Sequence, residues 1–217
     1  MNVASTVLSA ADESQNRLRR SAPVTGMVLF ILCEAMFFAA IVSAYLVTSA
    51  RAEEWPPPDL PALPVGESAF NAFVLVISGL FIYLGGRSER GEDEARRRER
   101  SGRIGTDESS ARETFHAAGL VCGAAFVFLQ GGEWLRVLGS GLSYGSGAYG
   151  SFFYLIVAAH GLHVCGALAL LAWLLFPSSR REVTAESLLA ARLFWYFVVG
   201  LWPLLYAMVY LYPGIVS

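Results

Sequence analysis

The chain has 217 residues, 55% of them hydrophobic, a mean hydropathy of +0.49 and a formal net charge of −2. Such a composition excludes an ordinary soluble domain. Its sixteen basic residues, all Arg, are nearly cancelled by eighteen acidic ones in the same few loops, which argues against a nucleic-acid site.

Residues 1–23 are polar, lack apolar periodicity and read as a cytoplasmic arm lying at the surface. The first apolar run, about 24–49, contains Gly26 to Leu46 and carries Glu34 near its middle. It exceeds the ~7–15 residues of a signal-peptide core and reaches the ~20 that cross a bilayer about 30 Å thick. A proline-rich loop follows, Glu53-Glu54-Trp55-Pro56-Pro57-Pro58-Asp59, with Trp55 expected at headgroup level. The second run is about 69–86. Residues 87–112 then alternate Arg with Glu and Asp, and predict a helical, salt-bridged extension of the second run. The third run is about 113–138, the fourth 151–176 and the fifth 188–212, with a short tail at 213–217. The fold class expected is all-α: one five-helix transmembrane domain over 24–212, in a polytopic membrane protein.

The arginines orient it. Fourteen fall in the arm, the second connection and the fourth, while Arg51 and Arg136 alone fall on the other side. The positive-inside rule then puts the N-terminus in the cytoplasm and the C-terminus outside.

A lone carboxylate at mid-membrane costs at least ~2.5–3.5 kcal/mol on insertion scales, so Glu34 needs a partner. At ~1.5 Å per residue, His160 falls at similar depth, and His160 or His163 is the expected hydrogen-bond donor. A functional, proton-linked carboxylate and a structural anchor both remain open for Glu34. His160 and His163 share a helix face at i and i+3. Three histidines are nonetheless too few for a copper–haem centre, so no metal is expected on this chain. Gln130 and Glu133 lie near the outer end of the third run, with Arg136 one turn on. An interfacial Glu133–Arg136 pair is expected, with a partner subunit or lipid as the other reading. Small residues (Gly119 and Gly123; Gly161, Cys165 and Ala169) mark faces for close helix approach. Cys33, Cys122 and Cys165 read as small buried hydrophobes. Aromatic residues of the fifth run, Trp195 among them, read as bilayer and interface packing. No phosphate loop, nucleophile elbow or zinc motif is present.

Taken in order, several motifs resemble subunit III of haem-copper respiratory oxidases, the cytochrome c oxidase family. They are Phe30-Ile31-Leu32-Cys33-Glu34-Ala35-Met36-Phe37-Phe38-Ala39, Trp55-Pro56-Pro57-Pro58, Asn71, Gln130-Gly131-Gly132-Glu133-Trp134, Tyr149-Gly150-Ser151-Phe152-Phe153-Tyr154 and His160-Gly161-Leu162-His163-Val164. The resemblance implies a five-helix form without the two N-terminal helices of the seven-helix form. It implies a non-catalytic subunit of a proton-pumping terminal oxidase, in the bacterial inner membrane. Catalytic subunit I and subunit II, which hold the haem and copper, would be its partners, within a larger respiratory supercomplex in some systems. Phospholipid would be its own ligand, sitting between the helices. Family residues carry over at Glu34, Asn71, Gln130, Glu133, Tyr149, His160 and His163. With Trp55, Arg136 and Trp195 added from the residues themselves, the site expected is Glu34 as the buried functional carboxylate, His160 and His163 as its polar partners, and Trp55, Asn71, Gln130, Glu133, Arg136, Tyr149 and Trp195 at lipid or interface contacts. The last helix departs from the family pattern: Tyr196 and Val199 stand where the family carries His and Asp, and Pro203, expected to kink the helix, is unusual. An accessory protein of a nitric oxide reductase and a small proton-coupled transporter are the alternative readings.

Overall fold

The computed structural model describes residues 3–58, 60–61, 63–99, 108–176 and 183–216. The helices are α1 (Val3–Arg51), α2 (Val65–Glu99), α3 (Glu108–Gly139), α4 (Gly147–Leu175) and α5 (Ala185–Tyr206), then a π turn (Ala207–Leu211) and a short α6 (Pro213–Val216). Five segments are long and apolar enough to cross a membrane: Ala22–Arg51, Val65–Arg87, Arg112–Gly139, Gly147–Leu175 and Ala185–Leu211. The all-α expectation holds, and the chain is a membrane protein. The N-terminal arm is helical rather than separate, because α1 continues through it and past Pro23. Likewise α2 runs on to Glu99, as the charged stretch predicted; its expected ion pairs and residues 100–107 lie outside the described side chains.

Contacts at the ends show the helices alternating in direction. Ser49, at the end of α1, meets the Tyr212 hydroxyl at 3.2 Å, and Ser68, early in α2, bonds Glu133, late in α3. The Tyr154 hydroxyl, early in α4, donates to the Leu142 carbonyl at 2.6 Å. The 52–64 and 140–146 connections and the end of α5 therefore share one end, hereafter the loop end. At the opposite end Arg192, early in α5, bonds His116, early in α3, beside Gly85 and Gly86 of α2.

Helix starts follow local chemistry. Thr184 caps α5 by accepting from the Ser187 N–H. Gly150 is needed at the start of α4: a Cβ there would sit 2.3 Å from the Ser143 carbonyl. The most buried span belongs to α5, which touches α1, α2 and α4. Trp195 and Trp202, both nearly inaccessible, are the largest side chains of the core. The α5 aromatics thus pack mostly inward rather than against lipid. Helix α5 passes through Pro203 and gives way to the π turn.

Close approach is made by α3. A Cβ on Gly119 would lie 2.7 Å from Ile82 of α2, and one on Gly123 would lie 2.7 Å from Leu168 and 2.9 Å from Trp195. The α4 stripe is not used this way: Gly161 has nothing within 4 Å of a built Cβ, and Cys165 and Ala169 are exposed. Cys33 is exposed too, so two of the three cysteines face outward instead of being buried. The reason is that α1 and the outer face of α4 have few neighbours within this chain.

Candidate polar sites within the bundle

Halfway along the spans, Glu34 of α1 meets His163 of α4, with Oε2 2.8 Å from Nε2. His163 Nδ1 lies 2.7 Å from the Ala159 carbonyl. A carbonyl only accepts, so Nδ1 carries a hydrogen and donates it. The Nε2–Oε2 contact then needs one proton, on the imidazole or on the carboxyl. In either form the pair is neutral overall, which removes most of the cost of a charge at this depth. Phe38 and Phe194 meet the imidazole edge-on at 5.2 and 6.3 Å, and the two polar side chains are 15% and 19% exposed.

Of the two candidate histidines, His163 is the partner and His160 is not. His160 is buried, stacked on Trp202 at 4.7 Å and edge-on to Phe126 at 6.3 Å. Neither of its ring nitrogens has a hydrogen-bond partner among the described residues. The i and i+3 spacing put both rings on one broad face, but one points to α1 and the other into the α3–α5 core.

Near the loop end a second carboxylate is caged. Glu133 is 1% exposed. Its Oε1 accepts from the Ser68 hydroxyl and from the Tyr210 hydroxyl at 2.8 Å, and its Oε2 accepts from Asn71 Nδ2 at 3.0 Å. The second Asn71 hydrogen goes to Gln130 Oε1 at 3.2 Å, and Gln130 Nε2 donates to the Tyr210 oxygen at 3.3 Å. Helix α2 and the π turn thus supply three neutral donors to one carboxylate of α3. Arg136 does not pair with Glu133 as expected; its guanidinium binds Glu67 on the exposed rim. Turning Glu133 inward satisfies it fully, and Arg136, one turn on, is left at the surface.

Ser68 and Tyr210 were not singled out in the sequence, although a signal for Ser68 existed. Ser68 and Asn71 on α2, like Gln130 and Glu133 on α3, are i and i+3 pairs, each presenting two polar groups on one face. Tyr210 could not be found from helical spacing, because it sits in the π turn, where the period changes.

Trp55, expected at headgroup level, is 6% exposed. Its indole N–H donates to the Tyr45 hydroxyl at 3.2 Å, and its ring meets Tyr149 at 5.2 Å. Thus Trp55 pins the 52–64 connection to the bundle. Of the residues assigned to lipid or subunit contacts, Trp55, Asn71, Gln130, Glu133, Tyr149 and Trp195 are buried within the chain, and Arg136 is exposed. A cavity of about 830 Å³ opens at this end, walled in part by Glu53, Glu54, Trp55, Tyr149, Tyr210 and Tyr212. A smaller one of about 320 Å³ is walled by Glu67, Asn71 and Arg136 among others.

At the opposite end Arg192 Nη2 donates to His116 Nε2 at 2.9 Å, both side chains being buried. Arg192 therefore belongs inside α5 rather than in the preceding connection. Gly85 and Gly86 make the space, since a Cβ on Gly85 would lie 2.5 Å from the imidazole and one on Gly86 2.9 Å from the guanidinium. The three histidines are thus committed to three separate settings. Among the described residues no three His, Cys, Asp or Glu side chains converge on a point that could hold a metal.

The chain matches the family described as cytochrome c oxidase subunit III over residues 103–214. It is 30% identical over 207 residues to a probable cytochrome c oxidase subunit 3 of Nocardia farcinica, covering 93% of this chain and 94% of that one. The cytochrome c oxidase subunit 3 of Synechocystis sp. is 28% identical over 192 residues, 86% of this chain and 74% of its own length. That of the ostrich, Struthio camelus, is 28% identical over 196 residues, 85% of this chain and 67% of its own. Matches of this length, running through the helices that carry Glu34, Glu133 and His163, do not favour the nitric oxide reductase or transporter readings. A five-span helical bundle with these relatives belongs to the cytochrome c oxidase subunit III family, as a subunit of a haem-copper oxidase.

Proposed function

We propose that this subunit is a non-redox component of a proton-pumping terminal oxidase reducing oxygen to water. It packs against catalytic subunit I and subunit II, which carry the haem and copper, and in some systems the whole sits in a larger respiratory supercomplex. The observation that carries this reading is the disposition of its donors: His116 bonds Arg192, His163 bonds Glu34, and His160 is enclosed by Trp202 and Phe126. A haem or copper ion needs several such ligands converging, and these residues do not fit one. The chain's contribution is a helical wall that stabilises the catalytic subunit and sustains its proton uptake. Phospholipid is the ligand of its apolar faces, where Leu29, Leu32 and Met36 of α1 lie exposed. The setting is the bacterial inner membrane, with the loop end outside and the arginine-rich connections in the cytoplasm.

The test is a tagged copy purified from its native membrane in mild detergent. Large histidine-rich chains and a reduced-minus-oxidised haem signal should copurify, with oxygen uptake in the same fraction. A colourless, solitary protein overturns the reading. Haem b with a nitric oxide-reducing partner moves the chain to that system instead.

A further inference from the structure

The Glu133 cage has a direction. Three hydrogens point at the carboxylate, two from hydroxyls and one from Asn71, while the second Asn71 hydrogen goes to Gln130, which in turn donates to the Tyr210 oxygen. Both oxygens of Glu133 act as acceptors, so no proton of its own is needed to complete the network. No cation is among its bonded partners, since Arg136 is engaged by Glu67.

Two of the donors also stand on cavity walls. Tyr210 lines the larger cavity at the loop end and Asn71 the smaller. These walls differ chemically. An amide keeps its hydrogens, whereas a phenol can release one proton while taking another. The larger cavity also carries Glu53 and Glu54 in its wall and, among the described residues, no basic side chain. Two exposed carboxylates at its mouth would raise the local proton concentration.

We propose that Glu133 is an ionised buried carboxylate that takes up a proton from the loop-end cavity through the hydroxyl of Tyr210. In this step the Tyr210 O–H bond breaks and its proton forms an O–H bond on Glu133 Oε1. In the same concerted step the Tyr210 oxygen gains a proton from hydronium in the cavity, leaving water, so that no free phenolate forms. Nothing is oxidised or reduced, and the buried side chain passes from charge −1 to neutral. The groups facing this site are Glu67, Ser68 and Asn71 from α2, Gln130, Trp134 and Arg136 from α3, and Tyr206, Tyr210 and Tyr212 from α5 and its continuation. Tyr149 and Tyr154 face it from α4, and Glu53 and Glu54 from the loop after α1. The Glu67–Arg136 pair is neutral overall, so among the described residues the charge on the larger cavity's wall comes from Glu53 and Glu54. This goes beyond a wall-forming role, because the subunit itself would hold and release a proton.

The experiment is acid-jump infrared difference spectroscopy on the whole oxidase complex. Acidification should remove a carboxylate stretch and add a protonated-carboxyl stretch, and both should vanish in Glu133→Gln. Tyr210→Phe, which keeps the ring and removes the relay, should retain both bands and slow their appearance at least about tenfold, the loss typical of one removed proton-transfer group. Bands that persist in Glu133→Gln, or an unchanged rate in Tyr210→Phe, overturn the proposal. Should Glu133→Gln fail to assemble, Ser68→Ala decides the assignment. It removes one donor and leaves the carboxylate, so the same band must shift in frequency. An unshifted band assigns the signal elsewhere and overturns the proposal.

Discussion

Glu34 and Glu133 are both carboxylates inside a membrane protein, and the atoms around them handle the charge differently. Glu34 shares one proton with an imidazole whose other nitrogen is already committed to a carbonyl. Glu133 needs no shared proton, because three neutral donors reach it. The difference predicts different responses to substitution. Glu34→Gln keeps a hydrogen-bonding group opposite His163 Nε2, and the assembled complex should show little change in thermal unfolding. Glu34→Ala strands that nitrogen in a part-buried site and should cost about 1–3 kcal/mol, seen as a lower unfolding temperature of the purified complex. Equal unfolding of the two variants would remove His163 as the reason Glu34 is tolerated. The need for a partner was legible from the sequence, because a midplane carboxylate demands one. Which histidine answers was not, since i and i+3 differ by only part of a turn and the choice depends on where α1 packs.

At the scale of an element, the five spans could be read from hydropathy, while their starts could not. Helix α2 begins at Val65 and α4 at Gly147, each earlier than the apolar runs suggest. The cause is local: Pro64 accepts the Ser68 N–H at the start of α2, and Gly147 and Gly150 read as loop although both lie within α4. Small residues show a related ambiguity. The Gly119–Gly123 stripe and the Gly161–Cys165 stripe have the same spacing, and only the first meets another helix of this chain. Gly119→Ala should therefore force Ile82 aside and cost about 1–3 kcal/mol. Gly161→Ala meets nothing and should be neutral to stabilising by up to ~1 kcal/mol through helix propensity. Thermal unfolding of the two variants side by side tests the assignment, and equal losses would contradict it. The Arg192–His116 contact was also illegible, because an arginine near a helix start reads as a surface charge until Gly85 and Gly86 open a place for it.

Over the whole molecule, the arginines of the described spans separate by end in the sense of the sequence tally. Arg51 closes α1 and Arg136 lies in the last turn of α3, both at the loop end, whereas Arg87, Arg112 and Arg192 lie toward the other. A reporter fused after the last residue should thus be active as an alkaline phosphatase and dark as a cytoplasmic green fluorescent protein. An insertion in the 100–107 connection should behave the opposite way. Reversed reporters would place the basic loops outside and break the positive-inside assignment. Burial is also unequal across the bundle: α1 is the least enclosed span and α5 the most. That imbalance explains why composition announces a membrane protein while leaving open which faces meet protein and which meet lipid.

The π turn at Ala207–Leu211 divides the last helix into two phases. Upstream, the α-helical period sets Trp195 and Trp202 into the core; downstream, the wider turn lets Val209 and Tyr210 face inward together. One residue of an α-helix subtends about 100°, so shortening this turn by a single residue would restore an unbroken ladder and swing Tyr210 away from Glu133. Seen this way, the turn works as a vernier on the chain. It leaves the hydrophobic seam of α5 where it is and dials one phenol onto one carboxylate, so residue count here matters as well as residue type.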